Sequence, residues 1–142
     1  MNAENTLDLL SQLVLVHRFS LVRYLGYARP WTDANEASSV LVQVADMQNA
    51  TADRLESLIL ARDRSLPGGD FSMQFTSWHD LALGFLLPKT VEHQRGVVAA
   101  CQDAISGMDD DQEALAMAEE ALGEAKGHLE TLIELADAIA AK

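Results

Sequence analysis

Apolar side chains recur every three or four residues in four long stretches of the chain, a spacing that places them on one face of an α-helix. The stretches cover residues 6–28, 33–62 or 33–64, 88–106 and 114–141. None of the four alternates in the way a half-buried strand does, and no internal repeat of about 20 to 50 residues is visible. The pattern therefore predicts an all-α protein built as a four-helix bundle.

Proline and capping residues indicate where the helices begin and end. Pro30 ends the first helix, because the residue before a proline is pushed out of the helical conformation. Asp33 and Glu36 have the spacing of a capping box and open the second helix. Asp110 and Glu113 have the same spacing and open the fourth.

The connection between the second and third helices is long. It begins with the run Ser-Leu-Pro-Gly-Gly-Asp at 65–70, which contains three strong helix breakers. Ser77 is a suitable N-cap, so a short extra helix is expected from there to about residue 86, with His79 as an exposed or capping residue. Pro88 then fits the first turn of the third helix, because its missing amide costs nothing there.

Each predicted helix carries at least one polar residue in the middle of its apolar face. In the second helix two such residues are three positions apart, so they lie on the same face one turn from each other. Because all four helices contribute, we expect a polar cluster at the mid-height of the bundle. Its members are His17, Gln48, Thr51, Gln94 and His128.

Composition and charge indicate one soluble domain over residues 1–142. The chain is 49% hydrophobic and 23% charged, which favours a compact fold. Its net charge of −12 argues against binding to nucleic acid or an anionic membrane, since both need a basic surface. Residues 7–27 are apolar but contain too many polar groups to span a bilayer, and no signal pattern precedes them. We therefore expect a cytoplasmic protein.

The sequence does not favour an enzyme. Cys101 is its only cysteine, which excludes an internal disulfide, and its position on an apolar face predicts a buried thiol. The sequence shows no pairing of a nucleophile with a base, no glycine-rich phosphate loop and no redox pair of cysteines.

The helix order and the polar cluster resemble the ferritin-like superfamily, in the direction of bacterioferritin and rubrerythrin. The run Glu-Ala-Lys-Gly-His-Leu-Glu-Thr-Leu at 124–132 is similar to the family helix that carries Glu-x-x-His and a leucine-rich face. Residues 48–55 match Glu-x-x-His-Ala-x-x-Leu in all but the ligands. His17 and Tyr24 are similar to a glutamate and a tyrosine of the family's first helix. The resemblance implies an antiparallel bundle with a long connection.

The resemblance also implies where a di-iron centre would lie. Of the six ligand positions, only that of His128 keeps the family's residue. Four of the others carry amide, hydroxyl or methyl groups, which are poor iron ligands or none at all. On the third helix, Glu92 or His93 could take the ligand position that is assigned here to Gln94. A degenerate site that has lost its di-iron centre is therefore expected. The six positions are His17, Gln48, Thr51, Gln94, Ala125 and His128.

Two functions follow most directly from this degenerate site. The first is a non-catalytic structural or interaction module without a cofactor, whose core polar residues hydrogen-bond one another. The second is a metal-binding protein with one zinc or mononuclear iron ion. In that case His17 and His128 would supply nitrogen ligands, and Glu92 or Glu124 would supply a carboxylate.

The sequence also suggests a third function and an assembly state. The polar cluster could belong to a small-molecule pocket gated by residues 71–87, with Phe75 and Trp78 as walls. Separately, the first helix is more apolar than one buried face requires. A homodimer is therefore expected, because two-fold dimers are the commonest assembly. An unknown protein partner is a further possibility beside the homodimer.

Overall fold

The protein is all-helical over the residues that the computed structural model describes, which are 3–32, 35–66, 68–78, 81–108 and 111–140. No strand occurs in these ranges, which confirms the all-α class. None of their helices is long and apolar enough to cross a membrane. The predicted roles of Asp33, His79 and Asp110 lie outside the described residues. The helices are α1 (Ala3–Arg18), α2 (Leu21–Ala28), α3 (Asn35–Ala61), a 3₁₀ helix (Met73–Ser77), α4 (Leu83–Ser106) and α5 (Gln112–Ala140).

The prediction of one continuous first helix was wrong, because the chain breaks between α1 and α2. Ser20 lies at the break in an extended conformation, with φ −72° and ψ 160°. Its Oγ accepts a hydrogen bond of 3.2 Å from the Arg23 amide and so caps α2. Serine favours this position because its side chain replaces a backbone acceptor that the first turn of a helix lacks.

The predicted start of the third helix at Pro88, and the short helix before it, were also wrong. Helix α4 begins at Leu83 and contains Pro88, and the extra helix is the earlier 3₁₀ segment. An interior proline costs about 3 kcal/mol, whereas burying one leucine contributes about 2 kcal/mol. Leu83, Leu86 and Leu87 are all fully buried, so their burial outweighs the proline. The Leu83 amide is satisfied by the Trp31 carbonyl at 2.8 Å.

The apolar core is divided into two clusters. The first apolar cluster combines α1 with residues 52–59 of α3, 97–104 of α4 and 114–125 of α5. The second combines α2 with residues 37–45 of α3, 83–91 of α4, Phe75 and Leu132. In α3, α4 and α5 the few residues between the two clusters are therefore at mid-height of the bundle.

The apolar outer face of α1 is partly covered by the chain's own connection. Gly69 approaches this face so closely that a Cβ there would lie 2.8 Å from the Leu15 side chain. The rings of Phe19 and Phe71 contact each other edge to face, with their centroids 5.4 Å apart. The connection thus covers surface that the sequence suggested for a dimer interface.

An ion pair joins the end of α3 to the start of α5. The Arg62 guanidinium donates to both carboxylate oxygens of Asp111, one of them at 2.9 Å. Asp111 Oδ1 also accepts from the Ala114 amide at 3.1 Å and so caps α5. The hydrogen bond from Arg62 is the main reason why the pKa of Asp111 falls to about 2.

Replacement of Arg29 by glycine is expected to stabilise the fold. Arg29 ends α2 in the left-handed conformation, with φ 51° and ψ 68°, which is unfavourable for a residue with a Cβ. Arg29→Gly should raise the free energy of unfolding by about 1 kcal/mol in a urea titration. The control Arg95→Gly, in the interior of α4, should lower it by about 1 kcal/mol. A destabilised Arg29→Gly would contradict the expectation.

Candidate functional site

Six buried polar side chains form a layer between the two apolar clusters. None of the six is more than 6% exposed. His17 comes from the last turn of α1, Ser20 from the break after it, and the other four from the middle of the three longer helices. We call them the polar layer: His17, Ser20, Gln48, Thr51, Gln94 and His128.

A chain of hydrogen bonds crosses the polar layer. The Ser20 hydroxyl donates to Gln48 Oε1 at 2.6 Å. Gln48 Nε2 donates to Gln94 Oε1 at 3.0 Å, and Gln94 Nε2 donates to the Ala125 carbonyl at 3.1 Å. Each amide therefore donates and accepts, which offsets much of the cost of its burial. The chain links the break after α1 to α3, α4 and α5.

The two histidines of the layer are held as neutral imidazoles. His17 Nδ1 donates to the Leu13 carbonyl at 2.8 Å; a carbonyl only accepts, so this nitrogen carries the proton and Nε2 keeps its lone pair. His128 Nε2 is buried without a hydrogen-bond partner among the described residues. The pKa of both rings is lowered, and for both rings burial is the main cause.

Glu124 lies at the edge of the layer, where other side chains hold its carboxylate. Glu124 Oε2 is 2.8 Å from Thr51 Oγ1, and Glu124 Oε1 accepts from the Arg54 guanidinium. Arg54 Nε also lies 3.3 Å from Glu120. A metal ion would need the negative charge of Glu124, and the Arg54 guanidinium already neutralises that charge. The Glu124 carboxylate nevertheless acts to raise the pKa of His17, against the larger effect of burial.

Glu92 does not join the polar layer. Its side chain is 81% exposed, and its carboxylate lies 3.8 Å from Arg95 on the surface of α4. His93 lies with its ring edge-on to Phe75 at 5.6 Å. Gln94 is therefore the residue of this segment that enters the layer.

The described residues contain no group of three or more His, Cys, Asp or Glu side chains that could hold a metal ion. Of the candidate ligands, His17 and His128 are buried in the polar layer, Glu124 lies at its edge, and Glu92 lies on the surface. Ala125, which the resemblance predicts at a ligand position, is buried, and only its carbonyl takes part in the layer.

The proposed walls of a small-molecule pocket pack as core. Phe75 is buried, and its ring lies 6.0 Å from that of Trp78 and 5.6 Å from that of Tyr24. Cys101 is also buried, and burial raises the pKa of its thiol to about 11. The thiol is therefore uncharged at neutral pH and unsuited to act as a nucleophile.

Sequence reasoning missed Ser20, the residue at the start of the hydrogen-bond chain. A serine inside an apolar stripe is a signal for a cap, but the stripe continues on both sides and favoured an unbroken helix.

Comparisons with family models, with curated proteins and with solved structures find no match to this chain. Its relation to the ferritin-like superfamily therefore stays a prediction.

Removal of the central amide should destabilise the fold. Gln48→Ala leaves the Ser20 hydroxyl and the Gln94 amide without their partner in the core. We expect the free energy of unfolding to fall by about 2–3 kcal/mol in a urea titration. The control Gln102→Ala, on the exposed face of α4, should change it by less than about 0.5 kcal/mol. Equal effects of the two substitutions would contradict the role of the chain.

Stability is expected to fall in mild acid. Burial holds the pKa of His17 and His128 below 6.5, so below that pH the unfolded chain binds protons that the folded chain does not. The stabilising effect is complete above pH 6.5 and is lost as the pH falls toward the folded values. Urea titrations should show a loss of up to about 1.4 kcal/mol per pH unit for each histidine.

The control for this pH dependence is the double variant His17→Gln and His128→Gln. It retains His93, whose pKa is also lowered by burial, together with Glu124 and Arg54 beside the layer. Its stability should depend less steeply on pH in the acid range than that of the native chain. An unchanged slope would show that the two imidazoles are not the groups that titrate.

Proposed function

We propose that this chain is a ferritin-like, antiparallel four-helix bundle without a di-iron centre, acting as a non-catalytic structural or interaction module. The observation that carries the proposal is the hydrogen-bond chain through Gln48 and Gln94. At these two family ligand positions the side-chain amides bind each other and their neighbours rather than leaving oxygens free for a metal ion. Neutral amides also lack the charge that two iron ions require.

The composition of the two apolar clusters supports the antiparallel arrangement. Helix α1 shares a cluster with the second half of α3, and α2 shares one with the first half. The second half of α4 likewise packs with the first half of α5. This exchange of halves is expected when consecutive helices run in opposite directions.

Exposed aromatic side chains support an interaction role. Tyr27 is 86% exposed, Trp31 is 70% exposed and Phe85 is 60% exposed. Large aromatic residues are enriched at the centres of protein interfaces, where their burial contributes much of the binding energy. These side chains, rather than the covered face of α1, are the basis for proposing a homodimer or another protein partner.

Elemental analysis tests the proposal. Protein purified without an affinity tag, and then incubated with ferrous iron or zinc and desalted, should retain far less than one metal ion per chain. The reason is that Gln48 and Gln94 are neutral and Arg54 already binds Glu124. Retention of two iron ions per chain would contradict the proposal.

A second candidate function rests on the unpartnered nitrogen of His128. His17 Nε2, whose lone pair is in the same polar layer, would supply the second nitrogen ligand for one zinc or iron ion, and Glu124 would supply a carboxylate oxygen if it left Arg54. In the same analysis this candidate predicts one ion per chain, lost in both His17→Ala and His128→Ala. Thr131→Ala, on α5 away from the layer, is the matched control.

A further inference from the structure

A surface cleft between α2 and α3 is lined by two arginines, Arg23 and Arg29. Its volume is about 250 Å³, and Tyr27 and Asp46 also contribute to its walls. The two helices approach closely beside it, because a Cβ on Gly26 would lie only 3.2 Å from that of Ala45. The cleft is separate from the polar layer, so this inference does not depend on the function proposed above.

These two arginines differ from the rest in their pairing. The chain has seven arginines, and its 22 acidic residues outnumber its 10 basic ones. Among the described residues, neither Arg23 nor Arg29 has a carboxylate within salt-bridge distance. The other five are paired: Arg18 with Asp53 and Glu56, Arg54 with Glu120 and Glu124, Arg62 with Asp111 and Glu113, Arg64 with Asp8, and Arg95 with Glu92.

The surroundings of Arg23 disfavour its charge. Its Nε donates to the Arg18 carbonyl at 3.2 Å, which leaves the outer guanidinium nitrogens available. Burial, followed by the nearby Arg18 cation, lowers the pKa of Arg23, whereas the carboxylates of Asp46 and Asp53 act in the opposite direction. A partly desolvated cation without an ion-pair partner is stabilised when an anion binds to it.

The backbone of Arg29 supports the same interpretation. Glycine would adopt the left-handed conformation at this position without strain, so the arginine is held at a cost in stability. Arg29 also lines a second cleft of about 370 Å³, where Ser38 and Gln43 offer further polar groups. Compared with glycine at this position, Arg29 adds a planar, positively charged side chain at the cleft.

We propose that this cleft binds the oxyanion of a small ligand, a carboxylate or a phosphate, between the guanidinium groups of Arg23 and Arg29. A guanidinium presents parallel N–H donors that match two oxygens of either group. Tyr27 adds a hydroxyl at the rim of the cleft. Asp46 carries the opposite charge on the cleft wall, so it weakens binding of the anion and favours one that carries few charges.

A titration monitored by NMR tests the proposal. Sodium phosphate and sodium acetate are added separately to ¹⁵N-labelled protein at constant ionic strength, with sodium chloride as the reference. The Nε–Hε signals of Arg23 and Arg29 should shift together and saturate with one of the two anions, which identifies the oxyanion class. The Arg95 signal, on α4, should shift only as it does with chloride.

Three variants sharpen the test. Arg29→Gln, at an exposed position, should weaken binding by about tenfold or more, because one of the two charged forks is lost. Arg95→Gln should bind like the native chain, and Asp46→Asn should bind more tightly. Arg29→Gly should have a higher Tm than the native chain without added anion, and its Tm should no longer respond to that anion.

Two results would overturn the proposal. One is a linear shift that never saturates with either anion, or that Arg95 shares, because it would indicate only screening by salt. The other is unchanged affinity in Arg29→Gln. Neither result depends on the metal content of the polar layer, so failure here is distinguishable from failure of the proposed function.

Discussion

The hydrogen bond between the amides of Gln48 and Gln94 lies in the middle of the core, and the packing on both sides depends on it. A buried amide is costly unless its donor and acceptor are both paired. Moving α3 by one turn past α4 would displace the two amides by about 5.4 Å and break the bond. The polar layer therefore selects one register of the helices, and the two apolar clusters pack in that register. Apolar side chains alone tolerate several arrangements.

The polar layer lacks free negative charge, and this limits its capacity to bind metal ions. Burial keeps His17 and His128 neutral, and the carboxylate nearest to them, Glu124, is bound by Arg54. The layer is therefore suited to holding helices together and poorly suited to stabilising two metal ions. One buried nitrogen, His128 Nε2, has no hydrogen-bond partner among the described residues, so it is an atom of the layer that is free to bind a ligand.

The arginine cleft is a separate feature on the surface of the same bundle. In a chain with a net charge of −12, most arginines are paired with carboxylates on neighbouring helices, and these pairs help to connect α1, α3 and α5. Arg23 and Arg29 lie beside the exposed ring of Tyr27 and are not used in this way. Holding the helices together and recognising a ligand thus depend on different residues.

The sequence by itself determined the helical class, most of the length of the long helices and the residues of the polar layer except Ser20, because all of these follow from spacing along a single helix. Tertiary structure decided the break at Ser20, whose hydroxyl reaches Gln48 on another helix, and the start of α4 before Pro88, where buried leucines outweigh the proline. It also decided that Gln94 turns inward while Glu92 faces solvent. The same holds for Arg23 and Arg29, which have no ion-pair partner among the residues that the structure describes. Pairing depends on residues far apart in the sequence, and periodicity contains no information about which of them meet.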